Sequence, residues 1–259
     1  MVSVSQTVVV ARHRGREYRL SAWFRDAGHD LVLFVHGLGC SKESWRHAFT
    51  APAMSGRSLL AIDLPGFGAS PRPSGFSYDL AEQAGLLASV VDAHASRRLC
   101  LVAHSMGGAI AALLPGPASR RVDGLVLVEG RLLSASCGIA GEVARVDREQ
   151  FDATVFPRFL RRVATDRRAA FDLDRADRRA FYLSCGSLIR WTGGEGLVPG
   201  LAAFDCPVAF VYGSENAHLA ELALLDRGVR HEVDGAGHFV MNDKPEAFYP
   251  LLASLLPAR

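Results

Sequence analysis

The sequence predicts an α/β fold in which helices cover both faces of a mostly parallel central sheet of about eight strands, with a helical lid inserted after the sixth strand. Short runs of consecutive apolar residues, typical of strands buried on both faces, alternate with segments whose small and apolar residues recur at helical spacing. This alternation breaks over residues 131–204, where only helical patterns occur. With 259 residues, 49% of them hydrophobic, the chain is long enough to fill a large core around such a sheet.

The first quarter of the chain predicts four strands. Residues 2–10 and 18–24 alternate partly between apolar and polar side chains on either side of a polar turn, which predicts an antiparallel hairpin. Residues 31–35 form a continuous apolar run, as expected of a central parallel strand. A short helical segment over 44–49 then leads to a strand over 58–62.

The middle of the chain centres on a strand that turns directly into a helix. A helix over residues 80–94, which Asp79 or Ser77 can cap, precedes a buried strand over 99–102. Small and apolar residues over 106–114 predict the helix that follows at once.

The remaining strands lie on either side of the interrupted stretch. Residues 125–128 form another buried strand, and residues 207–213 and 230–233 supply two more, with helices over 219–226 and 245–256. Because strands and helices alternate, the sheet is expected to be mostly parallel, with its ligand site beyond the carboxyl ends of the strands.

Residues 131–204 are predicted to form a helical lid, which leaves residues 1–130 and 205–259 as a core domain. Helical patterns cover 147–164 and 176–191. An apolar side of this segment is expected to cover the ligand site, so the substrate is expected to have a hydrophobic part. Most residues of that side are nevertheless expected to pack inside the lid: Phe151, Phe156, Phe159, Leu160, Phe181, Tyr182, Leu188 and Trp191.

The composition argues against several classes of protein. A formal net charge of +2, and a basic run over 158–179 that aspartates interrupt, give no strong signal for nucleic acid. No apolar run is long enough to cross a bilayer and the first residues lack a signal-peptide pattern, so a cytoplasmic protein is expected. The five cysteines are odd in number and lack C-x-x-C spacing, which argues against a disulfide scaffold and against a zinc site.

Ser105 lies at the joint between the predicted central strand and the helix after it. Such an abrupt turn leaves little room, so the residues two before and two after the serine must be small, and they are Ala103 and Gly107. The turn is expected to expose the Ser105 hydroxyl and to direct the first N–H groups of the helix, including that of Met106, toward an atom bonded there. A serine in an ordinary strand-to-helix turn is the alternative interpretation of these residues taken alone.

Four short motifs occur in order along the chain: HGLG at 36–39, DLPGFGAS at 63–70, HSMGG at 104–108 and GAGHF at 235–239. Each is weak alone, but together they resemble the lidded serine esterases of the α/β-hydrolase fold superfamily over nearly the whole chain. One departure is Ala103, which stands where the commonest motif has its first glycine.

The resemblance implies that Ser105 is a nucleophile, whose hydroxyl needs a base at neutral pH. His238, in a glycine-rich loop after the last strand, is the expected base, because the family places serine before histidine. The backbone N–H groups of Leu38 and Met106 are expected to form the oxyanion hole. The other polar residues at strand ends are expected to be structural: His36, Asp63 and His104.

The acid that supports the histidine departs from the commonest pattern. Most members carry an aspartate where this chain has Asn216, and an amide cannot offset the charge of an imidazolium. Glu129 ends a run of buried aliphatics and matches a position that some α/β-hydrolases use, including a branch of the haloalkane dehalogenases. Glu215 is the alternative acid, a structural role for both glutamates stays open, and Asn216 is expected to hold a hydrogen bond near the same histidine.

These residues predict a serine hydrolase that cleaves a small hydrophobic carboxylic ester through an acyl-enzyme on Ser105, with no cofactor and no metal. Thioesters, lactones, amides and the C–C bond of a dicarbonyl compound stay open, because the same groups cleave them. Asn216 also keeps open a small-molecule-binding protein with slow or absent turnover, and a cofactor-free haloperoxidase-like or lyase activity is a third possibility. The expected partner is the substrate, with neither nucleic acid nor membrane, and the sequence does not predict an oligomeric state.

Overall fold

The computed structural model describes residues 4–165 and 171–257. In this part of the chain eight strands form one sheet, in the order β1-β2-β4-β3-β5-β6-β7-β8. The β1–β2 and β2–β4 pairs are antiparallel and the other pairs are parallel, which confirms the predicted α/β architecture. The strands are Ser5–His13 (β1), Arg16–Arg25 (β2), Asp30–Val35 (β3), Ser58–Ile62 (β4), Arg98–His104 (β5), Gly124–Val128 (β6), Val208–Gly213 (β7) and Arg230–Val233 (β8).

Helical segments connect most of the strands. The α-helices are Leu80–Ala93 (α1), Met106–Ala112 (α2), Gly116–Ser119 (α3), Gly138–Val143 (α4), Arg148–Gln150 (α5), Phe156–Ala164 (α6), Arg178–Thr192 (α7), Glu221–Leu224 (α8), Val240–Asp243 (α9) and Pro245–Leu255 (α10). A π-helical turn covers Phe151–Val155, and 3₁₀ turns cover Lys42–Phe49, Pro52–Met54, Ser134–Ser136, Leu173–Arg175, Val198–Ala203, Ser214–Asn216 and Arg227–Val229.

The two faces of the sheet bury separate hydrophobic clusters, as β3 shows. Leu31, Leu33 and Val35 join the cluster that contains α1 and α2. Val32 and Phe34 point the other way and join the cluster that contains α9 and α10. Because successive side chains of a strand face opposite sides, burial on both faces requires the continuous apolar run that the sequence has there.

Several helices are shorter than predicted, and proline explains two of the differences. Helix α2 ends at Ala112 because Pro115 disfavours the helical conformation at the residue before it. The helix predicted over 147–164 is divided by the π-helical turn, since Pro157 has no N–H to donate to the carbonyl four residues earlier. Helix α8 covers four residues of the predicted 219–226, because Leu225 already has an extended backbone.

The segment between β6 and β7, called the insert here (131–165 and 171–207), packs against the loops that follow β3 and β4. The N–H of Asp172 donates to the carbonyl of Gly39 at 2.8 Å, and the N–H of Asp177 donates to that of Gly66 at 2.8 Å. The N–H of Leu197 donates to the carbonyl of Leu132 at 2.9 Å, so the helical part of the insert leaves and rejoins the core at one place.

Asp79 forms a further connection between the insert and the core, through its side chain. Its carboxylate caps α1 by accepting from the N–H of Ala81 at 2.9 Å. The same carboxylate accepts from the side chains of Ser187, Arg190 and Trp191 in α7.

Residues 63–70 have the contacts of a structural loop. Asp63 is fully buried and accepts hydrogen bonds from the N–H of Lys42 at 2.7 Å and of Ala69 at 2.9 Å. The Lys42 ammonium lies 2.5 Å from the same carboxylate, so the buried charge is paired. Within 4–165 and 171–257, no helix is both long and apolar enough to cross a bilayer.

Candidate active site

Ser105 has an unusual backbone conformation at the turn from β5 into α2. Its φ of 53° and ψ of −118° are rare for a residue with a side chain and cost roughly 1–3 kcal/mol in general. Neighbouring backbone groups hold it there: its N–H donates to Val128 at 3.0 Å, and its carbonyl accepts from Gly108 at 2.9 Å and from Arg131 at 3.1 Å. The side chain is thereby fixed at the carboxyl end of the central strand.

The glycines around Ser105 are required by close contacts. A Cβ at Gly107 would lie 2.8 Å from the carbonyl oxygen of His36 and 2.9 Å from that of Val35. A Cβ at Gly37 would lie 2.9 Å from the Cβ of Ser105. Helix α2 and the HGLG loop therefore approach each other more closely than larger residues permit.

His238 lies in the loop between β8 and α9, where its Nε2 is 3.2 Å from the Ser105 hydroxyl. The loop is held by the N–H of Gly237, which donates to the Asp243 carboxylate at 2.8 Å. It is also held by buried His104, whose Nε2 lies 3.0 Å from the His238 carbonyl and donates to it. Burial and nearby His238 lower the pKa of His104 well below its ordinary value, which favours the neutral ring in this contact.

Glu129 meets the other side of the His238 ring. It directly follows β6 with a φ of 51° and is fully buried, and its Oε2 lies 3.3 Å from His238 Nδ1. The N–H of Gly213 donates to Oε1 at 2.9 Å and the Asn216 amide donates to Oε2 at 3.0 Å. Burial raises the pKa of the Glu129 carboxyl, while nearby Arg131 and these two hydrogen bonds oppose that rise.

The structure therefore brings Ser105, His238 and Glu129 together, although they come from three different strand ends. Asn216 donates to the carboxylate oxygen of Glu129 that also faces the histidine. Glu215, the alternative acid, lies in the wall of the adjacent cavity, and the N–H of its backbone donates to Ala236.

Arg131 is a part of the site that the sequence analysis missed. Its Nη2 lies 2.9 Å from His238 Nδ1 and 3.5 Å from Glu129 Oε2, and 13% of its side chain is exposed. Burial and the Arg131 guanidinium lower the pKa of His238 well below its ordinary value. Its position in the sequence could have indicated a role in the site. An arginine two residues after a buried glutamate at a strand end lies at the edge of the sheet where ligands bind.

The two N–H groups predicted to form the oxyanion hole belong to residues near Ser105. Leu38 follows Gly37, where an added Cβ would lie 2.9 Å from the Cβ of Ser105, and Met106 is the first residue of α2. No acceptor within 4–165 and 171–257 receives a hydrogen bond from either N–H. Two buried donors without a protein acceptor suit an oxygen atom of a ligand bonded to Ser105.

A cavity of about 350 Å³ opens beside Ser105 and His238. The insert supplies most of its apolar wall, but only two of the eight predicted lid residues, Phe159 and Leu188, reach it. The other wall residues are Leu38, Arg131, Ser136, Cys137, Gly138, Ile139, Ala140, Arg162, Val163, Phe171, Glu215, Asn216, Gly237, Phe239 and Asp243.

Most of the remaining aromatic residues of the insert pack against one another. The rings of Phe151 and Phe156 are 5.3 Å apart, and those of Phe156 and Phe181 are 5.4 Å apart. In the part of the chain that the structure describes, no group of three or more histidine, cysteine or acidic side chains is arranged to hold a metal ion.

Comparison with known proteins decides the family. A family model described as "Alpha/beta hydrolase family" matches residues 32–251, which is most of the chain. The chain belongs to this family.

Two curated proteins resemble most of the chain. Esterase Rv0045c of Mycobacterium tuberculosis is 28% identical over 251 residues, covering 88% of this chain and 83% of that protein. The 2-succinyl-6-hydroxy-2,4-cyclohexadiene-1-carboxylate synthase of Enterobacter sp. (strain 638) is 26% identical over 252 residues, covering 90% of this chain and 93% of that protein. Several other relatives match over a short segment only: an acetyltransferase component of the acetoin cleaving system of Cupriavidus necator is 37% identical over 105 residues, 27% of its length.

Solved structures show the same fold at low sequence identity. A variant of the N-acyl homoserine lactonase AidH, in complex with N-hexanoyl homoserine, superposes with a TM-score of 0.75 at 19% identity, covering 97% of this chain and 96% of that one. A thermophilic esterase from Thermogutta terrifontis superposes with a TM-score of 0.69 at 17% identity, covering 96% and 97%.

Proposed function

We propose that this alpha/beta hydrolase cleaves a small carboxylic ester with a hydrophobic part, through an acyl-enzyme on Ser105. The observation that supports this most directly is the continuous contact from the Ser105 hydroxyl through His238 to buried Glu129, at 3.2 and 3.3 Å. This contact lies beside an open cavity whose wall includes an apolar part from the insert, which suits a hydrophobic acyl or alcohol group.

In the proposed reaction, His238 Nε2 accepts the hydroxyl proton while Ser105 Oγ attacks the carbonyl carbon of the ester. The oxyanion that forms accepts hydrogen bonds from the N–H groups of Leu38 and Met106. His238 then gives its proton to the leaving alkoxide, and the alcohol departs. A water molecule, deprotonated by the same nitrogen, cleaves the acyl-enzyme and releases the carboxylic acid and free Ser105.

Glu129 has a supporting role in this scheme. A carboxylate beside Nδ1 stabilises the imidazolium that exists between the two proton transfers. The hydrogen bonds from Gly213 and Asn216 favour the ionised form of this carboxylate against the effect of burial, and they orient it. Asn216 is then a positioning residue for the acid rather than the acid itself.

The names of relatives favour ester chemistry and also leave a second candidate. An esterase matches most of the chain, and a lactonase and an esterase share its fold. Cleavage of a C–C bond beside a carbonyl is the second candidate. It is favoured by the match to the 2-hydroxy-6-oxo-2,4-heptadienoate hydrolase of Pseudomonas putida, which is 36% identical over 39% of this chain.

The experiment is hydrolysis of p-nitrophenyl esters from acetate to octanoate by the wild type and by Ser105→Ala, Glu129→Gln and Asn216→Ala. Turnover is expected to disappear in Ser105→Ala. Glu129→Gln should lower kcat far more than Asn216→Ala does. The expected loss is about 10⁴-fold, as when the supporting carboxylate of a triad is lost. Asn216→Ala, the matched control beside the same carboxylate, should lower it about tenfold, as expected for one hydrogen bond to a charged group.

Mass spectrometry of the intact protein after mixing identifies the acyl-enzyme. A mass increase equal to the acyl group, absent in Ser105→Ala, supports the proposal. Undiminished turnover in Ser105→Ala would contradict it, and equal losses in Glu129→Gln and Asn216→Ala would remove Glu129 from the acid role.

A further inference from the structure

The contact between Arg131 and His238 restricts where the imidazole carries its proton. Arg131 Nη2 is a donor only, because a guanidinium has no acceptor atom, and it lies 2.9 Å from His238 Nδ1. This contact requires an unprotonated Nδ1, and it is shorter than the competing 3.3 Å contact with Glu129 Oε2, which would require a protonated one. A neutral imidazole then carries its proton on Nε2, the nitrogen that faces the Ser105 hydroxyl at 3.2 Å.

This proton arrangement is unsuited to the proposed reaction. A protonated Nε2 donates to Ser105 and cannot accept the hydroxyl proton. Protonation of Nδ1 instead would direct two N–H groups at each other across 2.9 Å, whereas Glu129 Oε2, which would accept that proton, lies farther away at 3.3 Å. The fixed positive charge of Arg131 also opposes formation of the imidazolium at the same ring.

Glu129 does not depend on Arg131 for its hydrogen bonds. Its two oxygens already accept from Gly213 and Asn216 at 2.9 and 3.0 Å, whereas Arg131 Nη2 lies 3.5 Å away. The other terminal nitrogen of Arg131, Nη1, is buried without a hydrogen-bond partner among residues 4–165 and 171–257. The guanidinium therefore has unused donors, and its side chain lines the cavity beside Ser105.

We propose that Arg131 determines specificity: it selects substrates that carry a carboxylate in addition to the bond that is cleaved. The substrate carboxylate takes the guanidinium away from Nδ1 in a paired, charge-assisted contact. The imidazole then releases the Nε2 proton to solvent and takes one up at Nδ1, where Glu129 accepts it, so its total charge is unchanged. Nε2 becomes free to accept the Ser105 proton, and neutral substrates lack this effect.

This inference rests on the proposed function and is tested with two pairs of esters. The first pair, p-nitrophenyl hydrogen adipate and the p-nitrophenyl ester of adipic monoamide, places a carboxylate or a neutral amide on the acyl side. The second pair, 4-acetoxybenzoate and 4-acetoxybenzamide, places them on the alcohol side. The wild type should prefer the anionic member of at least one pair in kcat/KM, and the pair that shows the preference identifies the side.

Arg131→Met should change the two members of that pair in opposite directions. We expect kcat/KM for the anionic ester to fall and that for the neutral ester to rise, each about tenfold, as the charge-assisted contact and the competing one are both lost. A structural role for Arg131 would lower both values together. Arg120→Met removes an exposed arginine outside the cavity and should change neither value of kcat/KM. Arg162→Met tests the second arginine of the cavity. Loss of the anionic preference in Arg162→Met but not in Arg131→Met would overturn the proposal.

The position of the His238 proton can also be measured in the wild type, so this test does not require that Arg131→Met fold. Histidine labelled with ¹⁵N reports which ring nitrogen of His238 carries the proton, with His238→Gln used for assignment. The proton should be on Nε2 in the free protein and should move to Nδ1 when adipate is added. A proton already on Nδ1 without adipate would overturn the inference.

The two proposals fail in different ways. If neither pair is hydrolysed in a Ser105-dependent manner by the wild type or by Arg131→Met, the proposed function fails. If hydrolysis depends on Ser105 but neither pair shows a preference for its anionic member, only the role of Arg131 fails.

Discussion

Ser105 and Glu129 have positive φ, a conformation that residues other than glycine rarely adopt, and they directly follow two neighbouring parallel strands. Each places its side chain across the carboxyl edge of the sheet instead of along the strand. The N–H of Glu129 donates to Val211 at 2.9 Å, and that of Ser105 donates to Val128 at 3.0 Å. Backbone hydrogen bonds to the next strand thus offset the strain at both positions.

The pH dependence of kcat/KM should show the effect of Arg131 on His238. A base with a lowered pKa stays neutral as the pH falls, so activity of the wild type should persist below the ordinary histidine value of about 6.5. In Arg131→Met the lost positive charge no longer opposes protonation, so the acid limb should move to higher pH. Rates measured at the isosbestic wavelength of p-nitrophenol, at constant ionic strength, check this; acid limbs that coincide for the two proteins would contradict it.

The sequence indicated the residues of the site whose local pattern is constrained, and it missed one that is not. Ser105 needs small neighbours at fixed spacing, and a glutamate that ends a buried aliphatic run needs a partner, so both were recognisable. Arg131 has a long side chain, and it contacts His238 in the loop after β8. That contact joins residues more than a hundred positions apart, and no local pattern records it.

Helix α2 illustrates how tightly one element is fitted to the sheet. We expect Gly107→Ala to destabilise the protein by about 1–3 kcal/mol, because the added Cβ would meet backbone carbonyl oxygens that cannot move independently. The matched control is Gly186→Ala in α7, where a Cβ meets no atom within 4 Å and should be neutral or stabilising by about 0.5–1 kcal/mol. Thermal unfolding of both variants measures the difference, and equal shifts in Tm would show that the close approach has no energetic effect.

Strands were predicted more accurately than helices for a physical reason. A strand buried on both faces must be apolar throughout, so its limits are visible in the sequence, as for β3, β4 and β6. A helix ends where a cap or a proline stops it, and its apolar spacing continues past that point. The division of the helix predicted over 147–164 by a π-helical turn is one such case.

At the scale of the whole molecule, Asp79 couples the insert to the core. Asp79→Ala removes both the cap of α1 and the contacts with α7, whereas Asp79→Ser keeps a capping hydroxyl but is too short to reach α7. Both variants should therefore increase amide hydrogen exchange in Arg178–Thr192. Only the alanine variant should also increase exchange in the first turn of α1, because loss of the cap destabilises that turn by about 1 kcal/mol.

Hydrogen exchange followed by mass spectrometry measures both regions in one experiment. The peptides of β5 and β6 serve as the internal control, since their strands lie in the centre of the sheet. Unchanged exchange in Arg178–Thr192 in both variants would show that Asp79 does not restrain the insert.

The mostly parallel sheet of about eight strands was predictable from the alternation of strands and helices and from four ordered motifs, and the observed sheet confirms it. The cavity was much less predictable. Of the eight apolar lid residues predicted from helical spacing, two line it, because spacing shows which side of a helix is apolar and not what that side contacts.

The hydrogen bond between Leu197 and Leu132 makes residues 133–196 a segment whose two ends meet. Such a segment can be replaced by recombination, in evolution or in the laboratory, without changing the order of the strands. An exchange would transplant the walls that Ile139, Phe159 and Leu188 provide, and with them the shape of the cavity. Arg131 lies outside the exchanged segment. An exchange would therefore change which substrate shapes the cavity accepts, while the charge preference proposed for Arg131 would stay with the unexchanged part of the chain.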